Sequence, residues 1–313
     1  MSAPSLPPSE DIATLDVQSI EARPFPDFAL TVRDTVWVSG VEPGIVGYDD
    51  ATGQPRASAS TQAVPLAMEQ GFDSLWAGEQ SGVGIGTVVR IDVRDGAAQA
   101  RIPVPSPGLR PESSLAVTDE AVWGLVAGPD ANSRRLLSID PATDTVRGTF
   151  PAPRAAQALR GGFGSLWVTT SNESVVRVDP ADGSTLATVA TGSGSRFMTV
   201  GHDAVWVMNQ NDGTVSRIDP DTETVVATVR VSAGPIRGGD VAVGADAVWV
   251  RTGIELATAI DPTSNKVVRV LGPAAGSGSI AVTDGAVWIT AHDVFAIHRV
   301  PLPRSLAGSS PAG

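Results

Sequence analysis

Apolar and polar residues alternate along the chain in short runs, each closed by glycine, proline, aspartate or asparagine. Runs of this kind, rich in valine, isoleucine and threonine, predict β-strands, because branched side chains fit a pleated, half-buried surface. Residues 224–230, TVVATVR, are representative. No stretch sustains the 3.6-residue period of an amphipathic helix.

The strand pattern recurs. Seven tryptophans each close a segment made of a turn residue, a small residue and an apolar residue: DTVW, DSLW, EAVW, GSLW, DAVW, DAVW and GAVW. They end on Trp37, Trp76, Trp123, Trp167, Trp206, Trp249 and Trp288, at spacings of 39, 47, 44, 39, 43 and 39. A second mark follows each of the first six, an aspartate at positions 49, 92, 140, 179, 219 and 261. Proline comes next in four copies, Pro141, Pro180, Pro220 and Pro262. Asp followed by Pro suits a type I turn, since proline presets φ and the carboxylate accepts a nearby N–H.

Each unit therefore reads as four antiparallel strands, A to D, with the tryptophan on strand B. Seven such units in one chain predict an all-β fold, a seven-bladed β-propeller, in which the indoles pack between neighbouring blades. The last unit lacks its own strand D, and residues 12–22 have no other assignment. They are expected to complete blade seven and close the ring, which protects sheet edges from pairing with other chains. The expected organisation is a tail over residues 1–11, one propeller over 12–300, and a Pro/Ser/Gly-rich tail over 301–313.

Composition narrows the function classes. The 313 residues carry a formal charge of −12, and no Lys/Arg cluster offers a local exception, which argues against nucleic-acid binding. Without cysteine there is no thiolate chemistry and no Cys-ligated zinc. No apolar run approaches the roughly 18 residues that span a bilayer, so a soluble monomer without a membrane span is expected. The opening MSAPSLPPSE has neither a basic nor an apolar leader region. Cytoplasmic location is the default expectation; the same Pro/Ser-rich opening also suits an exported protein without its leader.

The blade-building residues, notably DAVWV from Asp203, GTVSRIDP ending at Pro220 and TVVATV from Thr224, resemble the YVTN/YncE-like repeat propellers. They also resemble the streptogramin (virginiamycin B) lyase propellers. The second resemblance implies a magnesium-dependent lyase with histidine eleven residues before a blade tryptophan and glutamate three after. Eleven before, this chain has Pro26, Pro65, Glu112, Ala156, Ser195, Gly238 and Ser277; three after, it has Gly40, Glu79, Val126, Thr170, Asn209, Thr252 and Ala291. The histidine–glutamate pairing is not matched.

Strand parity places the D–A and B–C connections on one face, the loop face, and the A–B and C–D turns on the other, the turn face. The Trp-to-Asp distances are 12, 16, 17, 12, 13 and 12, and the Asp-to-Trp distances 27, 31, 27, 27, 30 and 27. Length variation thus falls on the loop face, where binding residues accumulate on a rigid scaffold. The candidate ligand-binding residues there are Glu79, Gln80, Arg110, Glu112, Arg196, Asn209, Arg237, Asp240 and His292. Glu79 and Glu112 are candidates to share a divalent cation, Mg or Ca, or else each pairs with a nearby arginine such as Arg110. His292 is a candidate general base or a solvated loop histidine. The expected function is a binding propeller that engages a small molecule or a protein at the central-channel face. The alternative is a metal-dependent lyase or hydrolase.

Overall fold

The computed structural model describes residues 6–302 except 43, 64, 82–83, 111, 129 and 131–132. The seven repeats form seven antiparallel sheets of strand order A-B-C-D, arranged as a β-propeller. Blade five shows the unit: Ser195–Gly201, Ala204–Asn209, Thr214–Asp219 and Thr224–Arg230. Strand B is buried along its whole length there, because blades pack against both of its faces, whereas strand D alternates between exposed and covered positions.

All seven tryptophans lie on strand B and are 0–3% exposed. Burying an indole removes about 150–250 Å² from water, worth roughly 4–6 kcal/mol at about 25 cal/mol per Å². In three of them the polar end is satisfied within the blade: Trp76, Trp167 and Trp206 each donate to the carbonyl of the glycine that ends strand A, at 3.1 Å, whereas Trp37 Nε1 is buried without a partner. Those glycines are dictated by a neighbour. A Cβ on Gly71, Gly162 or Gly201 would come within 2.5–2.8 Å of Val117, Val200 or Val243 on the next blade.

The ring closes as the repeat count requires. Gln18–Glu21 pairs antiparallel with Ala296–Pro301 and supplies strand D of blade seven. Just before it, Glu10–Asp11 adds a short parallel strand to Lys266–Gly272 of blade six. Strand C of blade seven is Ala296–Pro301. A single 3-10 turn, His292–Val294, precedes it and ends on Phe295 in the left-handed region (φ 56°).

The extra residues of blade two do not form a longer loop. They extend the B–C hairpin as Ser74–Ser81 and Gly84–Asp92. The inserted link into blade three then runs beside it as a bridging segment. Leu109 exchanges both backbone hydrogen bonds with Ile85 at 2.9 Å, Arg110 N donates to Leu125 O, and the Leu109 side chain is fully buried. No described helix is long and apolar enough to cross a membrane.

Candidate functional site

The innermost strands surround a channel of about 570 Å³. Its wall is mostly small or apolar, as crowding near the axis demands, with three charged side chains deep in it: Glu69, Arg160 and Asp240. Glu69 and Arg160 stand seven residues before their tryptophans, where the other blades carry Leu30, Ala116, Thr199, Ala242 and Ala281. Arg160 Nη1 lies 3.9 Å from Glu69 Oε2. Burial pushes the Glu69 carboxyl up, and the Arg160 charge opposes that shift.

Asp240 stands at the start of strand A of blade six and is 7% exposed. Its carboxylate accepts from Ser279 Oγ at 2.5 Å and from Val241 N at 2.8 Å. Burial nevertheless raises its pKa, with Glu112 adding to the effect and Arg160 opposing it. Asp27, just before strand A of blade one, completes the acidic side of the mouth. Its carboxyl accepts no hydrogen bond from the described residues. It is pushed up to about 7, first by burial and then by the charges of Glu112, Asp240 and Asp293. Carboxylates from blades one, three, six and seven therefore converge on the loop-face end of the channel.

The basic side comes from blades three to five. Arg196 pairs with Glu112, and its guanidinium lies 5.2 Å from the Phe197 ring centre. Arg110 donates to Gln157 Oε1 at 3.2 Å, while its Nε is buried without a partner. Burial and the neighbouring charges of Arg134 and Arg196 lower the Arg110 pKa. The mouth is thus bipolar, with Asp27, Asp240 and Asp293 across from Arg110 and Arg196, and Glu112 between them.

The remaining sequence candidates have other surroundings. Glu79 is 3% exposed, accepts from Arg101 Nη1 at 2.5 Å and from Gln62 N at 3.1 Å, and so meets an arginine on strand D of its own blade. Glu112 meets a different one, Arg196. Among the described residues no group of three or more His, Cys, Asp or Glu side chains is placed to hold a metal ion. The Gln80 side chain lies outside the described residues. Asn209 is fully buried in blade five, donating to Thr214 and Ser216 hydroxyls, and its Oδ1 has no partner. Arg237 is exposed. His292 stacks on Phe25 with ring centres 4.2 Å apart. Its Nδ1 lies 3.0 Å from Asp293 Oδ1, outside hydrogen-bonding geometry.

Arg251 is a buried cation that periodicity does not reveal. It is fully buried on strand B of blade six and donates to the carbonyls of Leu256, Ala275 and Gly276 at 2.7–3.1 Å. It thereby ties the B–C loop of blade six to the link into blade seven, with no carboxylate in contact. Burial lowers its pKa to about 10.

Among solved structures, the chain resembles BamB from Moraxella catarrhalis, at a TM-score of 0.58 and 14% identity over 89% of this chain and 85% of that one. The fold is shared. It also resembles the computationally designed Ika8 protein, at a TM-score of 0.65 and 14% identity over 90% of this chain and 98% of that one. No protein-family model matches the chain, and no curated protein matches it.

Proposed function

We propose that the protein is a binding propeller whose working surface is the channel mouth on the loop face, with Arg110, Glu112, Arg196 and Asp240 joined there by Asp27. One observation carries the reading. The Asp27 carboxyl is partly buried and without a hydrogen-bond partner among the described residues, facing charges from three other blades above an open channel. A partly covered carboxyl with no protein partner is left for solvent or a ligand to satisfy, and a ligand that bonds it regains what burial costs. The likeness of the blade motifs to YVTN/YncE-like propellers supports a scaffold of this kind. So does the absence of the lyase histidine pattern, since no histidine lies eleven residues before any blade tryptophan. A small molecule or a short protein segment fits the channel dimensions.

The test is a thermal-shift screen of amines, carboxylates, neutral heterocycles and short peptides, followed by titration of each hit against Asp27→Asn and Arg196→Gln. The expected result is a ligand whose affinity falls at least about tenfold in one or both variants while neither variant melts much below the parent. Ligands that bind both variants with parental affinity would place the working surface elsewhere.

A further inference from the structure

On strand C of each blade one residue sits directly opposite the tryptophan: Gly47, Arg90, Ser138, Arg177, Arg217, Ala259 and Arg299 in chain order. The four arginines share one role. Each reaches across the seam on the turn face and donates to a carbonyl at the C–D turn of the next blade. The acceptors are Pro141, Pro220, Pro262 and Asp50, at 2.7–3.0 Å. Three of these guanidiniums also lie over their own blade's indole, 5.1 Å from Trp76, 5.4 Å from Trp167 and 5.3 Å from Trp206. The pattern defines a guanidinium site with an indole floor and a carbonyl wall.

Blade six lacks the arginine. Ala259 stands in its place, and a groove of about 740 Å³ opens at the seam with blade seven, lined by Trp249, Ala259, Val268 and Leu302. Trp249 is 3% exposed, against 0% for the three indoles that lie under an arginine. By repeat register the carbonyl wall is that of Leu302, which accepts no hydrogen bond from the described residues. Two carboxylates, Asp246 and Asp284, line the same groove. Arg269 also lines the groove, but its charge is already paired with the Glu10 carboxylate, with bonds of 2.8 and 3.1 Å, which leaves the two aspartates in excess. Blades one and three also lack the arginine, but Trp37 of blade one is 0% exposed behind Gly47, and in blade three Phe150 packs on Trp123 at 5.5 Å and Arg147 bonds Glu120 and Asp140. Of these three indoles Trp249 is the most exposed, and the groove beside it is larger than the one of about 420 Å³ beside Trp123.

We infer that the groove between blades six and seven receives the guanidinium of an arginine from a partner polypeptide. The chain itself shows the bound geometry three times over, and the occupant is supported by charge. Two carboxylates at the groove and a formal charge of −12 favour a cation. A flat, forked donor can lie on a ring face and bond a carbonyl at once, which a lysine ammonium does less well.

The experiment uses the full chain labelled with 5-fluorotryptophan, followed by fluorine NMR, with Trp249→Phe to assign the resonance. A blocked Gly-Arg-Gly peptide is titrated beside its Gly-Lys-Gly counterpart. The expected result is a saturable shift of the Trp249 resonance with the arginine peptide, with at least about tenfold weaker response to lysine. Ala259→Arg places the chain's own guanidinium in the groove and should abolish the shift; if that variant fails to fold, Ala259→Leu fills the same space. Asp246→Asn with Asp284→Asn should weaken binding and flatten its salt dependence. No shift at Trp249, equal response to the two peptides, or a shift that survives a filled groove overturns the assignment. So does a shift seen only after truncation at Leu302, because then residues 303–313, which include Arg304, are the occupant.

Discussion

Trp288 donates its indole N–H to Asp50 Oδ1 at 2.8 Å, joining blade seven to blade one across 238 positions of sequence. Beside it, Arg299 Nε donates to the Asp50 backbone carbonyl at 2.7 Å. The seam where the two ends of the chain meet is therefore stitched as the internal seams are. Asp50→Ala removes the acceptor of a buried indole and is expected to cost about 1–3 kcal/mol, the range for orphaning a buried donor. Urea denaturation with an unchanged m-value checks it.

Closure also depends on the N-terminal strand. Deleting residues 1–22 removes Gln18–Glu21 from its pairing with Ala296–Pro301 and exposes the edge of blade seven. The truncated chain is expected to melt earlier and to associate at raised concentration, as open sheet edges do. Calorimetry with light scattering reads both effects; melting and monodispersity equal to the parent's would refute the latch.

Trp167 is fully buried at the seam between blades four and five, beside Val175, Met198 and Val205. Trp167→Ala should cost about 3–5 kcal/mol, the range for deleting a large aromatic from a core. Trp167→Phe keeps most of the volume and should lose less, although it forfeits the hydrogen bond to Gly162 O.

The blade framework is legible because its signals are local. A tryptophan, a turn aspartate and a glycine recur at the same place in repeat after repeat, because each answers to the same strand or to the equivalent strand of the next blade. The channel charges are not. Glu69 and Arg160 lie 91 positions apart, and only the convergence of seven inner strands brings them to 3.9 Å. Aligning the repeats on their tryptophans does mark both, as charges at a position otherwise held by Leu, Ala or Thr. Glu79 illustrates the opposite difficulty. The spacing makes it resemble a ligand, but Arg101 on strand D of its own blade reaches past strand C to pair with it, a contact that spacing along the chain does not disclose. The insertion in blade two likewise extends a hairpin instead of a loop, which length alone does not distinguish.

Arg251 gives a prediction about the link into blade seven. Its guanidinium satisfies three loop carbonyls from the interior, and Arg251→Met would leave them without that donor. The loss is expected on the order of 3 kcal/mol, since each unsatisfied buried group costs about 1–3 kcal/mol and loop relaxation recovers part. Hydrogen exchange should show residues 273–279 losing protection first. Arg251→Lys should recover little, because one ammonium cannot reproduce the forked set of bonds.

The mouth carboxyls predict an unusual pH dependence. Asp27 is raised from an ordinary value of 3.8 to about 7, and Glu69 and Asp240 are raised as well, all chiefly by burial. Between about pH 4 and 7 the folded state therefore holds protons that the unfolded chain has released. Stability must fall as pH rises through that window, because the slope follows the protons bound by the unfolded state minus those bound by the folded state. Asp27→Asn removes one of these groups. It should be nearly neutral at pH 4 and stabilising at pH 8, by roughly 1–2 kcal/mol, given about 1.4 kcal/mol per pKa unit and partial access of water to the mouth. Denaturation of parent and variant at both pH values tests the sign directly. A variant no more stable than its parent at pH 8 would mean that the Asp27 carboxylate is already stabilised in the folded protein, removing the unpaired group on which the proposed binding mouth rests.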